Sequence, residues 1–148
     1  MASLLRRARG HKGAALIEVA LTLPLLLLVS VGIFEFGRAY QTWQVLTNAA
    51  REGARVAVLP DSTDDAIEDR ARAYMESGQL PESDAAEIDI THDTDIDTGG
   101  GVMSTASEVT INYPFSFVVL QPVARLIVPG TSLGSPIIMA ASAMMRNE

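Results

Sequence analysis

Lys12-Gly13-Ala14-Ala15-Leu16-Ile17-Glu18 opens, and Asn48-Ala49-Ala50-Arg51-Glu52-Gly53-Ala54-Arg55 nearly closes, the stretch from Lys12 to Leu59 on which this chain is built. Between the two lies an apolar run, Ala14 to Phe34, of 21 residues with one charge, Glu18. As a helix it is roughly 31 Å long, enough to cross the hydrocarbon core of a bilayer. Phe34, Phe36, Tyr40 and Trp43 follow at its far end, where an interfacial aromatic belt would sit. Arg6, Arg7, Arg9 and Lys12 precede it, and residues 1–13 contain no acid. The positive-inside rule then keeps the N-terminus cytoplasmic and sends everything after Phe34 across the membrane. This is the pattern of a single-pass anchor, residues 14–34, carrying an external domain.

Glu18 needs a reason. A carboxylate at full depth in a membrane helix costs about 2.5–3.5 kcal/mol on the insertion scale, and somewhat less near the interface. One reading is that it snorkels back to the headgroups. The other starts from its spacing to Gly13. A small residue after a basic leader, with an acid five residues on at the head of an apolar run, resembles the type IV prepilin processing site. There a membrane peptidase cuts after the glycine, here between Gly13 and Ala14. The resemblance implies that Ala14 gains an ammonium group, which Glu18 of a neighbouring subunit could pair with. An unpaired intramembrane charge would thereby set the register of stacked helices.

Two further blocks follow in order. Gly32-Ile33-Phe34-Glu35-Phe36-Gly37-Arg38 and Leu46-Thr47-Asn48-Ala49-Ala50-Arg51-Glu52-Gly53-Ala54-Arg55, taken with Gly13 to Pro24, are similar to the TadE-like family. These are minor pseudopilins of tight-adherence (Tad, or Flp) pili, a type IV class used for surface adherence. Asn48, Arg51, Glu52, Gly53 and Arg55 carry the last block of that resemblance. It implies a pilin-like fold and a part in pilus assembly or initiation, with no catalysis by the chain. The implied partners are a prepilin peptidase, other pilins and pseudopilins, the pilus assembly platform and the inner membrane. A different class of reading also fits the anchor: a membrane-tethered binding or receptor module that is never cut. A major structural pilin is disfavoured by length, since the family's major subunits are very short.

The 148 residues leave room for one domain beyond the anchor. The net charge is −7, with 11 bases and 18 acids. Without the four bases of residues 1–13, 7 bases would face the same 18 acids, a net −11. Such an acidic exterior argues against nucleic acid as a partner. No cysteine is present, which excludes disulfides, thiol catalysis and Cys-based metal sites. A cleaved secretory signal is disfavoured too, because the apolar run is long and no A-x-A site follows it.

The expected fold is α+β: a long helix, a second short helix and a small, mainly antiparallel sheet of three to four strands. The helix runs on from the anchor as an amphipathic continuation, residues 35–59, ended by Pro60. Leu46, Ala49, Ala50, Gly53, Ala54 and Ala57 recur at steps of three and four, a stripe small enough for close backbone approach. It suits the domain's own sheet or a neighbouring helix; the first is expected, since helix stripes usually bury within their own chain. Residues 60–148 form the extracytoplasmic head. Ser62 and Asp65 are placed to cap a helix Asp64–Ser77, closed by Gly78 and Pro81. Ile88 and Ile90 alternate with acids in one strand; Val109, Ile111 and Tyr113 alternate with polar residues in a second. Pro114 demotes the continuation of that strand to an edge or a departure from the sheet. Phe115–Val128 is unusually apolar, either core or a patch facing a partner or the membrane. Ile137–Met145, apolar on both faces, reads as a central strand.

Candidate chemistry is thin. Asp93, Asp95 and Asp97 fall in what reads as a loop, spaced like the first ligands of a calcium loop. Thr98 replaces the required glycine and Ser104 the bidentate glutamate, so only a looser oxygen site remains. No cofactor is expected. There is no G-x-S-x-G and no phosphate-cradling loop, and the one histidine outside the leader is His92. A non-enzyme is expected.

Overall fold

The computed structural model describes residues 2–97, 99, 103–127, 130, 132 and 134–147. Its first element, α1, is a helix of 56 residues, Ala2–Ala57, with Pro24 inside it. It stops two residues short of the expected end, turning through Leu59 and Pro60 to Asp61 at φ 61°. Two polar side chains of the apolar run bond back to their own helix. Thr22 Oγ1 donates to the Glu18 carbonyl and Ser30 Oγ to the Leu26 carbonyl, both at 2.8 Å, so neither hydroxyl needs water. Residues 13–30 are all exposed, as a segment awaiting lipid would be.

The second half of α1 is a different object. Leu46, Ala49, Ala50, Gly53, Ala54 and Ala57 are buried. Helix α2, Asp64–Ser77, lies beside them and contributes Ile67, Ala71 and Met75. Its N-cap is Thr63, whose hydroxyl accepts from the Ala66 amide at 3.3 Å, and not the expected Ser62. Ser62 instead donates to the Ala57 carbonyl at 3.3 Å and closes α1. Gly78 does end α2, but not by left-handed geometry: its φ is −78°, and Gln79 takes the positive angle, 60°. The glycine is required because a Cβ there would lie 2.5 Å from Val45 Cγ1 of α1.

A short 3-10 turn, Ser83–Ala85, leads into a three-stranded antiparallel sheet in the order β1 (Glu87–Asp97), β2 (Met103–Phe115), β3 (Ile137–Arg146). Ile88 pairs with Ile111 and Ile111 with Ala141; Ile90 pairs with Val109 and Val109 with Ala143. These rows turn inward onto the α1 stripe and α2, and the fold is α+β with one core. Leu46, Ile67, Met75, Val109, Ile111 and Phe115 are fully buried, each worth about 1.5–3 kcal/mol relative to exposure. The outer face carries polar cross-strand pairs, Asn112 donating to Asp89 at 3.0 Å and Ser142 to Glu108.

Two readings change and one holds. β3 is an edge strand, not a central one; its alternate residues Ile138 and Met144 face outward and are exposed, which is why both faces looked apolar. Pro114 stands, as expected, where the extension of β2 is an edge: β1 pairing ends at Asn112 and Pro114 has only Ile138 opposite it. The apolar stretch after β2 holds a helix, α3, Leu120–Ile127, that strand alternation had hidden.

Candidate functional site

Gly13 and Ala14 lie on α1 on open helix surface, and a Cβ built on Gly13 would meet nothing within 4 Å. Glu18, one turn on, is also exposed, and its carboxylate has no ion-pair partner among the described residues. The junction is thus reachable from the side.

The polar residues of the last block do structural work around the stripe. Glu52 accepts from Arg55 at 2.7 Å on its own helix and from Arg70 of α2 at 2.8 Å. The Arg70 hydrogen bond, with Arg55 beside it, holds the Glu52 carboxyl below its ordinary pKa. Asn48 accepts from Arg51 at 3.4 Å on the exposed side. Gly53 is the contact point of three elements: a Cβ there would be 3.2 Å from Val109 of β2 and 3.6 Å from Ala71 and Ile67 of α2. Leu46, Ala49, Ala50 and Ala57 pack in the same layer.

Sequence reasoning gave Glu35 no role. It is 1 % exposed and sits immediately past the apolar run. Its Oε1 accepts from the Val119 amide at 2.5 Å and the Leu120 amide at 3.3 Å, the first free donors of α3. Its Oε2 pairs with Arg38 at 3.0 Å. The Arg38 guanidinium in turn lies 5.2 Å from the Phe115 ring centre and donates to the Ser116 carbonyl at 3.5 Å. Burial pushes the Glu35 pKa up, but the Val119 and Leu120 amides and the Arg38 charge outweigh it and hold it below the usual value. A clue was present: an acid at the edge of a membrane run with a base at i+3 is seldom free, though its partner lies 84 residues away.

Between the lower part of α1 and α3 runs an apolar groove of about 600 Å³, lined by Leu25, Leu28 and Val31 on one side and Leu120 and Val123 on the other. Further along α1, Phe34, Phe36, Tyr40 and Trp43 are exposed.

The acidic residues are not in a loop. Asp93, Asp95 and Asp97 belong to β1, where a bulge between Thr91 and Thr94 puts Asp93 at φ 53°. Alternate residues of a strand are about 6.6 Å apart, too far for three carboxylates to share one ion. Asp93 accepts from Asn147 at 3.0 Å, and Asp97 from the Gly99 amide at 2.8 Å. His92 bonds Asp64 of α2 at 2.8 Å. No group of three His, Asp or Glu side chains placed to hold a metal occurs among the described residues.

Residues 13–55 match the family model of TadE-like proteins, a span running from the glycine of the junction to the arginine that pairs with Glu52. The match suggests a Tad pilus-associated protein. α1 holds the one described helix, Gly13–Ala57, long and apolar enough to cross a membrane, which suggests single-pass anchoring. No curated protein and no solved structure matches the chain.

Proposed function

We propose that this chain, TadE-like over residues 13–55, is a minor pseudopilin that takes part in assembling or initiating a Tad pilus. It acts without catalysis of its own. It sits in the inner membrane with its N-terminus cytoplasmic, its head outside, and Gly13–Ala14 as the bond cut by a prepilin peptidase. The observation that carries this reading is the exposed Gly13-x-x-x-x-Glu18 junction at the head of a helix that is exposed over residues 13–30 and whose second half packs into the core of the head. Such a helix offers its exposed apolar length to lipid or to a neighbouring helix while its second half holds the head.

N-terminal sequencing of the protein co-expressed with the pilus peptidase is the test, and Ala14 is the expected first residue. Gly13→Leu should block the cut and leave insertion intact, since the leader charges remain. Glu18→Ala should insert at least as well, because it removes a buried charge, yet fail to support piliation. An uncut chain beginning at Met1 or Ala2 in piliated cells would favour the tethered receptor. Normal piliation with Glu18→Ala would leave snorkelling as the whole role of that carboxylate.

A further inference from the structure

We propose that α3 lies in the headgroup–acyl boundary of the membrane that α1 crosses, on the side of the head, with lipid acyl chains filling the groove between the two helices. This rests on the reading of α1 as a membrane anchor.

The groove is continuous with surface that lipid must already cover. Its α1 wall, Leu25, Leu28 and Val31, belongs to the apolar run itself, and Leu120 and Val123 extend that wall onto α3. Water would gain almost no polar contact there, whereas acyl chains coating α1 need only continue sideways. The level is right as well. Glu35 holds the first amides of α3 at the end of the apolar run, beside the exposed aromatics Phe34 and Phe36. A helix can enter a low-dielectric boundary only if its leading N–H groups are satisfied, and the Glu35 carboxylate does this for two of them. Pro122, third in the helix, removes an N–H that would have had no helical partner.

The polar side of α3 fits the same placement. Gln121 and Arg125 are four residues apart on one face, Leu120 and Val123 on another, and Arg125 is exposed. An arginine there reaches lipid phosphates while its stem rests on the acyl boundary. The excursion is also closed at its neck: a Cβ on Gly134 would lie 2.7 Å from the Gln121 amide nitrogen, so the chain returns to the start of α3 before entering β3. The head is therefore held to the membrane at two points, α1 and α3, which fixes its tilt.

Because the chain has no cysteine, single cysteines can carry a fluorophore in the full-length protein in liposomes containing acyl-nitroxide lipids. Val123→Cys should lose its emission to the nitroxide lipids and resist aqueous iodide, while Asp89→Cys on the outer sheet face should do the reverse. Leu120→Cys repeats the measurement from the same wall should Val123→Cys disturb the head. Leu21→Cys, in the apolar run but outside the groove, controls for the anchor. If Leu21→Cys is quenched by lipid but Val123→Cys and Leu120→Cys answer only to iodide, the proposal fails and the anchor stands. If Leu21→Cys also escapes the lipid quencher, the anchor reading fails and this proposal with it. Groove probes shielded from both quenchers would mean that a protein segment occupies the groove, which overturns the lipid assignment.

Discussion

Glu35 joins two elements that are far apart in sequence, and it does so as an anion. Its carboxylate serves two amides of α3 and the Arg38 guanidinium at once. Hydrogen bonds to a charged group are worth about 1.5–3 kcal/mol each, so Glu35→Gln should loosen α3 without unfolding the sheet. Amide exchange over residues 119–127 would rise, with β2 protection unchanged. The pKa shift gives a second signature. A carboxyl held below its unfolded value stabilises the fold at pH above that unfolded value, and the contribution is lost as pH falls through the folded value. Docking of α3 should therefore weaken on acidification, and Glu35→Gln should abolish that dependence. An α3 whose exchange is insensitive both to acid and to the substitution would show that Glu35 does not hold it.

At the scale of elements, α1 packs closely at two glycines, Gly53 on its own stripe and Gly78 at the end of α2 against Val45. Gly53→Leu should cost about 1–3 kcal/mol by overpacking, since Val109 is already 3.2 Å from the first atom that would be added. Gly78 is tighter still. Gly78→Ala should loosen α2 through Val45, and Val45→Ala should recover much of the loss; additive melting-temperature changes in the double variant would show that the two do not meet. These elements were largely legible beforehand. The stripe at steps of three and four, the 64–77 helix and the alternation at 88–90 and 109–113 all carry strong local periodicity. What the sequence hid has physical reasons. α3 follows a strand so closely that Phe115, Phe117 and Val119 continue its alternation, and what fixes it is a carboxylate 84 residues upstream. The acidic run read as a loop because charge suggests solvent, yet a strand whose outer face is polar accepts charge readily. The edge position of β3 depends on pairing, which no local pattern states. At the junction, the spacing of Gly13 and Glu18 was readable, whereas Glu35 required knowledge of the fold.

For the whole molecule, the boundary that matters does not fall at Pro60. With no disulfide, the head is held by apolar burial, and α1 supplies Leu46, Ala49, Ala50, Ala54 and Ala57 to that core. It also supplies Glu52, which ties down Arg70 of α2. A sheet of three strands with one apolar face needs a cover, and α2 alone reaches only part of it. The fragment 60–148 should therefore fail to fold, showing no cooperative thermal transition by circular dichroism. The fragment 36–148 keeps the stripe and should melt cooperatively, though α3 loses its Glu35 cap and should exchange freely. Adding a peptide of residues 38–59 to the shorter fragment should restore the transition, because the missing core face is one continuous helix. A cooperative melt of 60–148 alone would mean that the sheet and α2 close their own core, and that the second half of α1 is free to serve a neighbouring subunit.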